Sequence, residues 1–168
     1  MEALFLTFSE KTGIQALMYS SWGWPVVESL HFIGLSLLIG AVGIFDLRML
    51  GFMRGIPMMA LHRLVPFGVA GYLLNVLTGI MFVTSVPDQY IYNPAFQSKM
   101  LFMLVAGLNV ALFYNTSFRQ IGREPTPGTV NMSRLFAGIS LVCWLGVITA
   151  GRLITFYRPP FYWCFWCS

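Results

Sequence analysis

Four stretches of this chain, residues 25–46, 63–84, 99–118 and 133–156, are apolar over the length a helix needs to cross roughly 30 Å of hydrocarbon at about 1.5 Å per residue. Nothing else in the sequence restricts the fold as much. With 57% hydrophobic and 10% charged residues among 168, too few charges remain to cover a water-soluble domain of this size. Strands of alternating polarity about ten residues long, the mark of a membrane β-barrel, are absent from the pattern. The expected fold is all-α: an integral membrane four-helix bundle formed by residues 25–156, a single domain.

Residues 1–24 are too short and too polar to span, and Glu2, Glu10 and Lys11 interrupt them, so they do not read as a signal peptide. Leu4, Phe5, Phe8, Leu17 and Met18 instead suggest the apolar side of an amphipathic helix lying in the membrane interface, with Trp22 and Trp24 as belt residues. The first span is expected to begin at Pro25 and to end near Asp46 and Arg48. Glycines within the spans, among them Gly34, Gly71 and Gly146, suit close approach between membrane helices.

Arginines collect in two connections. Arg48, Arg54 and Arg63 follow the first span, and Arg119, Arg123 and Arg134 follow the third, against only Asp46 and Glu124. The positive-inside rule makes both connections cytoplasmic and places both termini on the outer, periplasmic side of a bacterial inner membrane. The net charge of +4 is then mostly a topology collar, and nucleic acid is not an expected partner. The expected partners are the lipid bilayer and other membrane subunits or further copies of the chain.

Within the apolar spans a few polar residues need a reason, because an ionisable group in hydrocarbon is costly. Glu28 and His31, three residues apart, fall on one helical face that Leu35 and Leu38 continue, and that face is expected to look into the bundle. Counting helical rise, His31 lies about 9 to 10 Å below the outer boundary. Asn75 reaches a similar depth, with Thr78 somewhat above it, while Lys99 opens the third span and Arg152 closes the fourth. Six residues from four helices are thus expected at one level: Glu28, His31, Asn75, Thr78, Lys99 and Arg152. Trp144, Ile148 and Arg152 share a face that aims the arginine toward this centre.

Two readings of the cluster stay open. In one, Glu28 pairs with Arg152 or Lys99 in a structural ion network, and the protein is an accessory or scaffold subunit of a larger complex or a homo-oligomer. In the other, the neutral His31 imidazole is an axial ligand to haem b iron, Lys99 and Arg152 pair with the propionates, and the protein serves electron transfer or porphyrin-related redox chemistry. His62, the other histidine, lies on the order of 15 Å from His31 in depth and cannot share its iron within one chain. The sixth position would be open, or taken by a methionine such as Met81 or Met103, or supplied by another chain. A transporter or proton path is a weaker third reading, because no inverted repeat or broken-helix pair is evident. No Ser, His and Asp constellation, phosphate loop or metalloprotease pattern appears.

The stretch ESLHFIGLSLLIGAVGIFDLRMLG resembles the first helix of HemJ-type protoporphyrinogen oxidases and CopD-like membrane proteins, and FQSKMLFMLVAGLNVALF resembles their third. The whole chain resembles more closely a bacterial family of four-helix membrane proteins of uncharacterised function, with W-x-W-P-x-x-E-x-x-H, N-P-x-F-x-x-K and a late G-R. The HemJ resemblance implies a haem b bundle in which His31 and Lys99 matter. Where those proteins carry further histidines, this chain has Asn109, Tyr114 and Asn115.

The tail 157–168 ends in Cys164 and Cys167, separated by two residues and lacking the histidine of a c-type haem attachment site. A local disulfide or interfacial anchoring by Tyr162, Trp163 and Trp166 is expected there; a Cu(I) site is the alternative. Cys143, within the fourth span, reads as a small packing residue.

Overall fold

The structure is a computed structural model, and it describes residues 2–116 and 127–157. Two short helices, α1 (Glu2–Lys11) and α2 (Ile14–Met18), precede α3 (Gly23–Leu50). A short α4 (Met58–His62) leads into α5 (Val65–Ser85), and α6 (Pro87–Ile91) into α7 (Pro94–Thr116). The last is α8 (Pro127–Leu153), closed by a 3-10 turn at Ile154–Phe156. No strand occurs among the described residues. Four helical segments, Gly23–Leu50, Met58–Ser85, Pro94–Thr116 and Val130–Phe156, are long and apolar enough to cross a membrane. The protein is a multi-pass membrane protein built as an all-α four-helix bundle.

Local chemistry explains where the helices begin and stop. Pro25, Pro66, Pro94 and Pro127 sit in first turns, where a missing N–H costs nothing. Asn93 caps α7: its Oδ1 accepts from the backbone N–H groups of Ala95 (3.0 Å) and Phe96 (3.4 Å). Its Nδ2 reaches the carbonyls of Ile154 (2.9 Å) and Tyr157 (3.2 Å), tying the end of α8 to the start of α7. Asn93 is completely buried, which suits a side chain with so many partners.

The end of α3 departs from the expectation. The helix runs past Asp46 and Arg48 to Leu50 and stops at Gly51, in the left-handed region at φ 104°. Gly51 N–H donates to the Arg48 carbonyl and Phe52 N–H to the Leu47 carbonyl, the bonding of a glycine-terminated helix end. Arg48 and Arg54 are partly spent on this turn. Arg48 Nε donates to the Ile56 carbonyl (2.8 Å) and Arg54 Nε to the Gly51 carbonyl (2.9 Å). The consequence for Asp46 is large: it lies a full turn inside the helix and is buried.

The bundle is asymmetric. α3 packs along α5, α7 along α8, and α3 along α8, whereas α5 and α7 hardly touch. At the α3/α5 crossing the backbones are in contact. A Cβ on Gly71 would fall 2.5 Å from the Gly34 carbonyl oxygen, and one on Gly34 2.9 Å from the Gly71 carbonyl oxygen. On the other pair, Gly146 receives the Phe102 ring, 2.8 Å from where a Cβ would stand. Small residues thus set both helix separations.

Two buried apolar clusters result. Leu38, Ala106, Cys143, Trp144 and Val147 fill the middle of the bundle, so Cys143 is the packing residue expected. Met18, Val27 and Phe82, with Trp24 and Met81 against them, close the end nearer Trp24 and dock α2 there. In the N-terminal segment Ser9 and Met18 are the buried residues, while Leu4, Phe8 and Leu17 face outward. Of the five apolar residues expected to face the interface, Met18 is thus buried in the bundle instead. Below, the end of the bundle at Trp24 is called the tryptophan end, and the opposite one, at Arg48 and Arg63, the arginine end.

Candidate functional site

Of the six residues expected at one level, the structure joins two directly. His31 Nδ1 lies 2.7 Å from Thr78 Oγ1. The hydroxyl also lies 2.7 Å from the Leu74 carbonyl, to which it donates its single hydrogen. Thr78 must therefore accept from His31, which assigns the ring proton to Nδ1 and leaves the Nε2 lone pair unshared by Thr78. The Phe82 ring packs edge-on against the imidazole, with centroids 5.7 Å apart. Asn75, one turn along α5, donates from Nδ2 to the Gly71 carbonyl (3.0 Å) and fills the space beside Gly34. Lys99 extends past Gly151 of α8, close enough for its charge to be felt at His31.

Glu28 and Arg152 stand apart from this group. Both are exposed, and among the described residues Glu28 forms no ion pair with Lys99 or Arg152. The reason lies in the phase of α3. Its inward face runs through Val27, His31, Gly34 and Leu38, so Glu28, next to Val27, is turned about 100° away. His62 stands at the arginine end, its ring 6.4 Å from that of Tyr114, far from His31 as expected. Cys164 and Cys167 lie outside the described residues. Among the described residues no group of three or more His, Cys, Asp or Glu side chains is placed to hold a metal ion.

The main cavity lies elsewhere, toward the arginine end. It encloses about 530 Å³ and is lined from all four long helices. Its floor and sides are aromatic: Phe45, Phe113 and Phe136 meet edge to face, with centroids 5.9 and 6.0 Å apart, beside Tyr114 and Trp144. Leu38, Ala106 and Trp144 belong both to its wall and to the central cluster, which separates it from His31.

Three of the lining residues, Asp46, Ser140 and Trp144, have a side-chain polar atom with no hydrogen-bond partner, Oδ2, Oγ and Nε1, each itself closed off from the cavity space. All three residues are buried, at 3%, 3% and 8% exposure. Ser140 stands close enough to Asp46 to influence its carboxyl, yet no hydrogen bond joins them by distance and angle. Asn109 differs from the three, because its Nδ2 donates to the Phe136 carbonyl (3.0 Å). Each unpaired buried polar atom costs about 1–3 kcal/mol, and a fold accepts three together only for a reason.

The cavity is open toward the side. A second space of about 350 Å³ runs along α7 past Met100, Leu104 and Leu108, and it shares Tyr72, Met103 and Gly107 with the first. The two join through the gap between α5 and α7, where exposed Tyr72, Leu104 and Leu108 face outward at membrane depth. A Cβ on Gly107 would meet nothing within 4 Å.

Sequence reasoning missed this site because Asp46 next to Arg48 reads as the polar end of a span. The missed signal was Gly51. A glycine stop places the helix end later, which leaves Asp46 a full turn inside the helix instead of at its end.

No curated protein and no solved structure matches the chain. One family model does, across residues 1–157: the chain belongs to a family of unknown function, DUF6644.

Proposed function

We propose that the protein binds a lipophilic small molecule that enters its inner cavity sideways from the bilayer through the gap between α5 and α7. One observation carries the reading. An apolar cavity of about 530 Å³, within the usual range for small-molecule sites, has Asp46, Ser140 and Trp144 in its wall and opens at membrane depth. Apolar walls and a few convergent polar groups are the ordinary composition of such a site. A ligand with a polar head and an apolar body would place the head against α3 and α8, where Asp46, Ser140 and Trp144 lie, and leave its body in the portal.

The test is a diazirine-bearing alkylphenol applied to the full chain in lipid nanodiscs. Photolabelling is expected to saturate and to concentrate on α3 and α7 around Asp46 and Met103. Gly107→Leu, which puts a side chain into the portal from a position where a Cβ has open space, should abolish it; Gly138→Leu, whose Cβ is equally unobstructed but which lies away from the cavity, should not. Labelling spread evenly over lipid-facing residues and indifferent to Gly107→Leu would overturn the reading.

A second reading, a haem b protein with His31 as axial ligand, draws on the His31–Thr78 bond. A metal-binding histidine usually has its other nitrogen held by a hydrogen bond, and Thr78 supplies one at Nδ1. The resemblance to HemJ-type proteins points the same way, and Lys99 is the cation nearest to hand for a propionate. The fit is incomplete, since His31 lines neither cavity and Arg152 is exposed. Haem, when bound, would supply one-electron chemistry; His31 would hold it and Lys99 would balance charge. A b-type α band in the reduced-minus-oxidised spectrum, lost in His31→Ala, is the expected result. Its absence from protein produced with ample haem would sink this second reading.

A further inference from the structure

We infer that Arg54 and Arg134, with Arg48 behind them, form a binding site for the phosphate of an anionic phospholipid, where the first and last spans meet at the arginine end. The sequence carries the first observation. All six cationic residues around the two connections are arginines, and both lysines of the chain, Lys11 and Lys99, lie elsewhere. A charge that only fixes topology can be lysine or arginine alike. Phosphate is different, because the planar guanidinium offers it two parallel N–H donors that an ammonium lacks.

The structure brings three of these arginines together. Where a Cβ on Gly51 would stand, the three nearest heavy atoms beyond its own chain neighbours are all guanidinium nitrogens: Arg54 Nη2 at 3.5 Å, Arg54 Nε at 3.7 Å and Arg134 Nη2 at 3.9 Å. Arg54 follows α3, and Arg134 lies two turns into α8. A phosphate accepting at about 2.8 Å on two of its oxygens spans donors up to about 8 Å apart, and two atoms each within 4 Å of one point meet that limit. Two of the side chains are already fixed in place. Arg54 Nε donates to the Gly51 carbonyl (2.9 Å), and Arg48 donates to the carbonyls of Ile56 (2.8 Å) and Arg54 (3.3 Å). Those bonds leave the terminal nitrogens of Arg54 to a ligand and lower the ordering cost of binding one. The turn that returns Arg54 to Gly51 carries Met53 at φ 52°, a left-handed conformation uncommon for a residue with a side chain.

Charge and surroundings name the occupant. Cations this close repel one another unless an anion stands between them. Among the described residues none of the three has a carboxylate within ion-pair distance, and Asp46, the nearest acid along α3, is buried. Beside the arginines in the chain, Leu47, Phe52, Met53 and Leu135 are exposed apolar side chains where the spans end. Acyl chains would lie on them with the phosphate at headgroup level, whereas a free phosphate would leave them unused. A lipid held here would brace α3 against α8, the contact that joins first span to last.

The experiment is a lipid titration of the full chain in an uncharged detergent, read by native mass spectrometry. Phosphatidylglycerol is expected to bind in a single saturable step, about tenfold more tightly than phosphatidylcholine, whose choline cation the arginines would repel. Arg134→Lys and Arg54→Lys keep the charge and lose the fork, and each should weaken phosphatidylglycerol about tenfold. Arg63→Gln removes a charge at the same end but away from Gly51, and should weaken it less than about twofold. Because the lipid comparison needs no variant, a misfolded Arg134→Lys would not decide the matter. Equal binding of the two lipids overturns the site. So does a loss with Arg63→Gln as large as with the lysine variants, which would reduce the cluster to diffuse charge. Displacement of the lipid by an equal concentration of inorganic phosphate or glycerol phosphate overturns the lipid assignment in favour of free phosphate.

Discussion

At the tryptophan end, His31 and Thr78 satisfy one another and Asn75 bonds the Gly71 carbonyl, whereas about 22 Å further along α3 Asp46 faces Ser140 and Trp144 with none of the three atoms paired. Both groups are contributed mainly by facing helices, with His31 and Asn75 half-buried and Asp46, Ser140 and Trp144 buried. What matters most between them is completion. A completed polar contact between membrane helices contributes to holding those helices together. An incomplete one costs stability in the empty protein and gains only when something else supplies the missing partner.

The comparison breaks or sharpens through stability measured by thermal unfolding of the purified protein in detergent. The largest effect is expected from Gly71→Leu, where even a Cβ would collide with the backbone of α3 at Gly34 and Leu38. The crossing cannot relax around a side chain there, so a loss above about 3 kcal/mol or outright aggregation should follow. Thr78→Val comes next. It keeps the shape of the side chain, strands His31 Nδ1, and should lower stability by about 1–3 kcal/mol while leaving photolabelling of the cavity intact.

Asp46→Leu should have the opposite sign. Replacing an unpaired buried carboxyl with an apolar side chain removes its desolvation cost, so the ligand-free protein should gain about 1–2 kcal/mol while photolabelling of the cavity weakens. A loss of stability instead would mean that Asp46 belongs with the completed contacts of the other end. The smallest change, within about 0.5 kcal/mol, is expected for Gly107→Leu, since its side chain would enter open space; binding alone should suffer.

Much of this architecture was legible from residue order. Four spans follow from apolar length and the role of Cys143 from its size and setting, whereas the third helix starts at Pro94, five residues before the Lys99 expected to open it. Matching depths by helical rise was enough to bring Thr78 to His31 and to keep His62 away. The same arithmetic could not settle rotation. Glu28 and His31 lie only about 60° apart on a helix, and which of them faces inward depends on the neighbours Val27 and Gly34 select. A cavity is harder still to read, because it arises where α5 and α7 fail to meet, and no single residue encodes a missing contact.

The weak α5/α7 contact also bears on how the chain assembles. The stronger pairings along the sequence, α3 with α5 and α7 with α8, are each between consecutive spans. Each hairpin can therefore settle while the rest of the chain is still being inserted, with loop closure over short distances. The α3/α8 contact alone joins first span to last, so it forms after all four are in place. Substitutions at that seam should slow final assembly and leave membrane insertion of the two hairpins untouched.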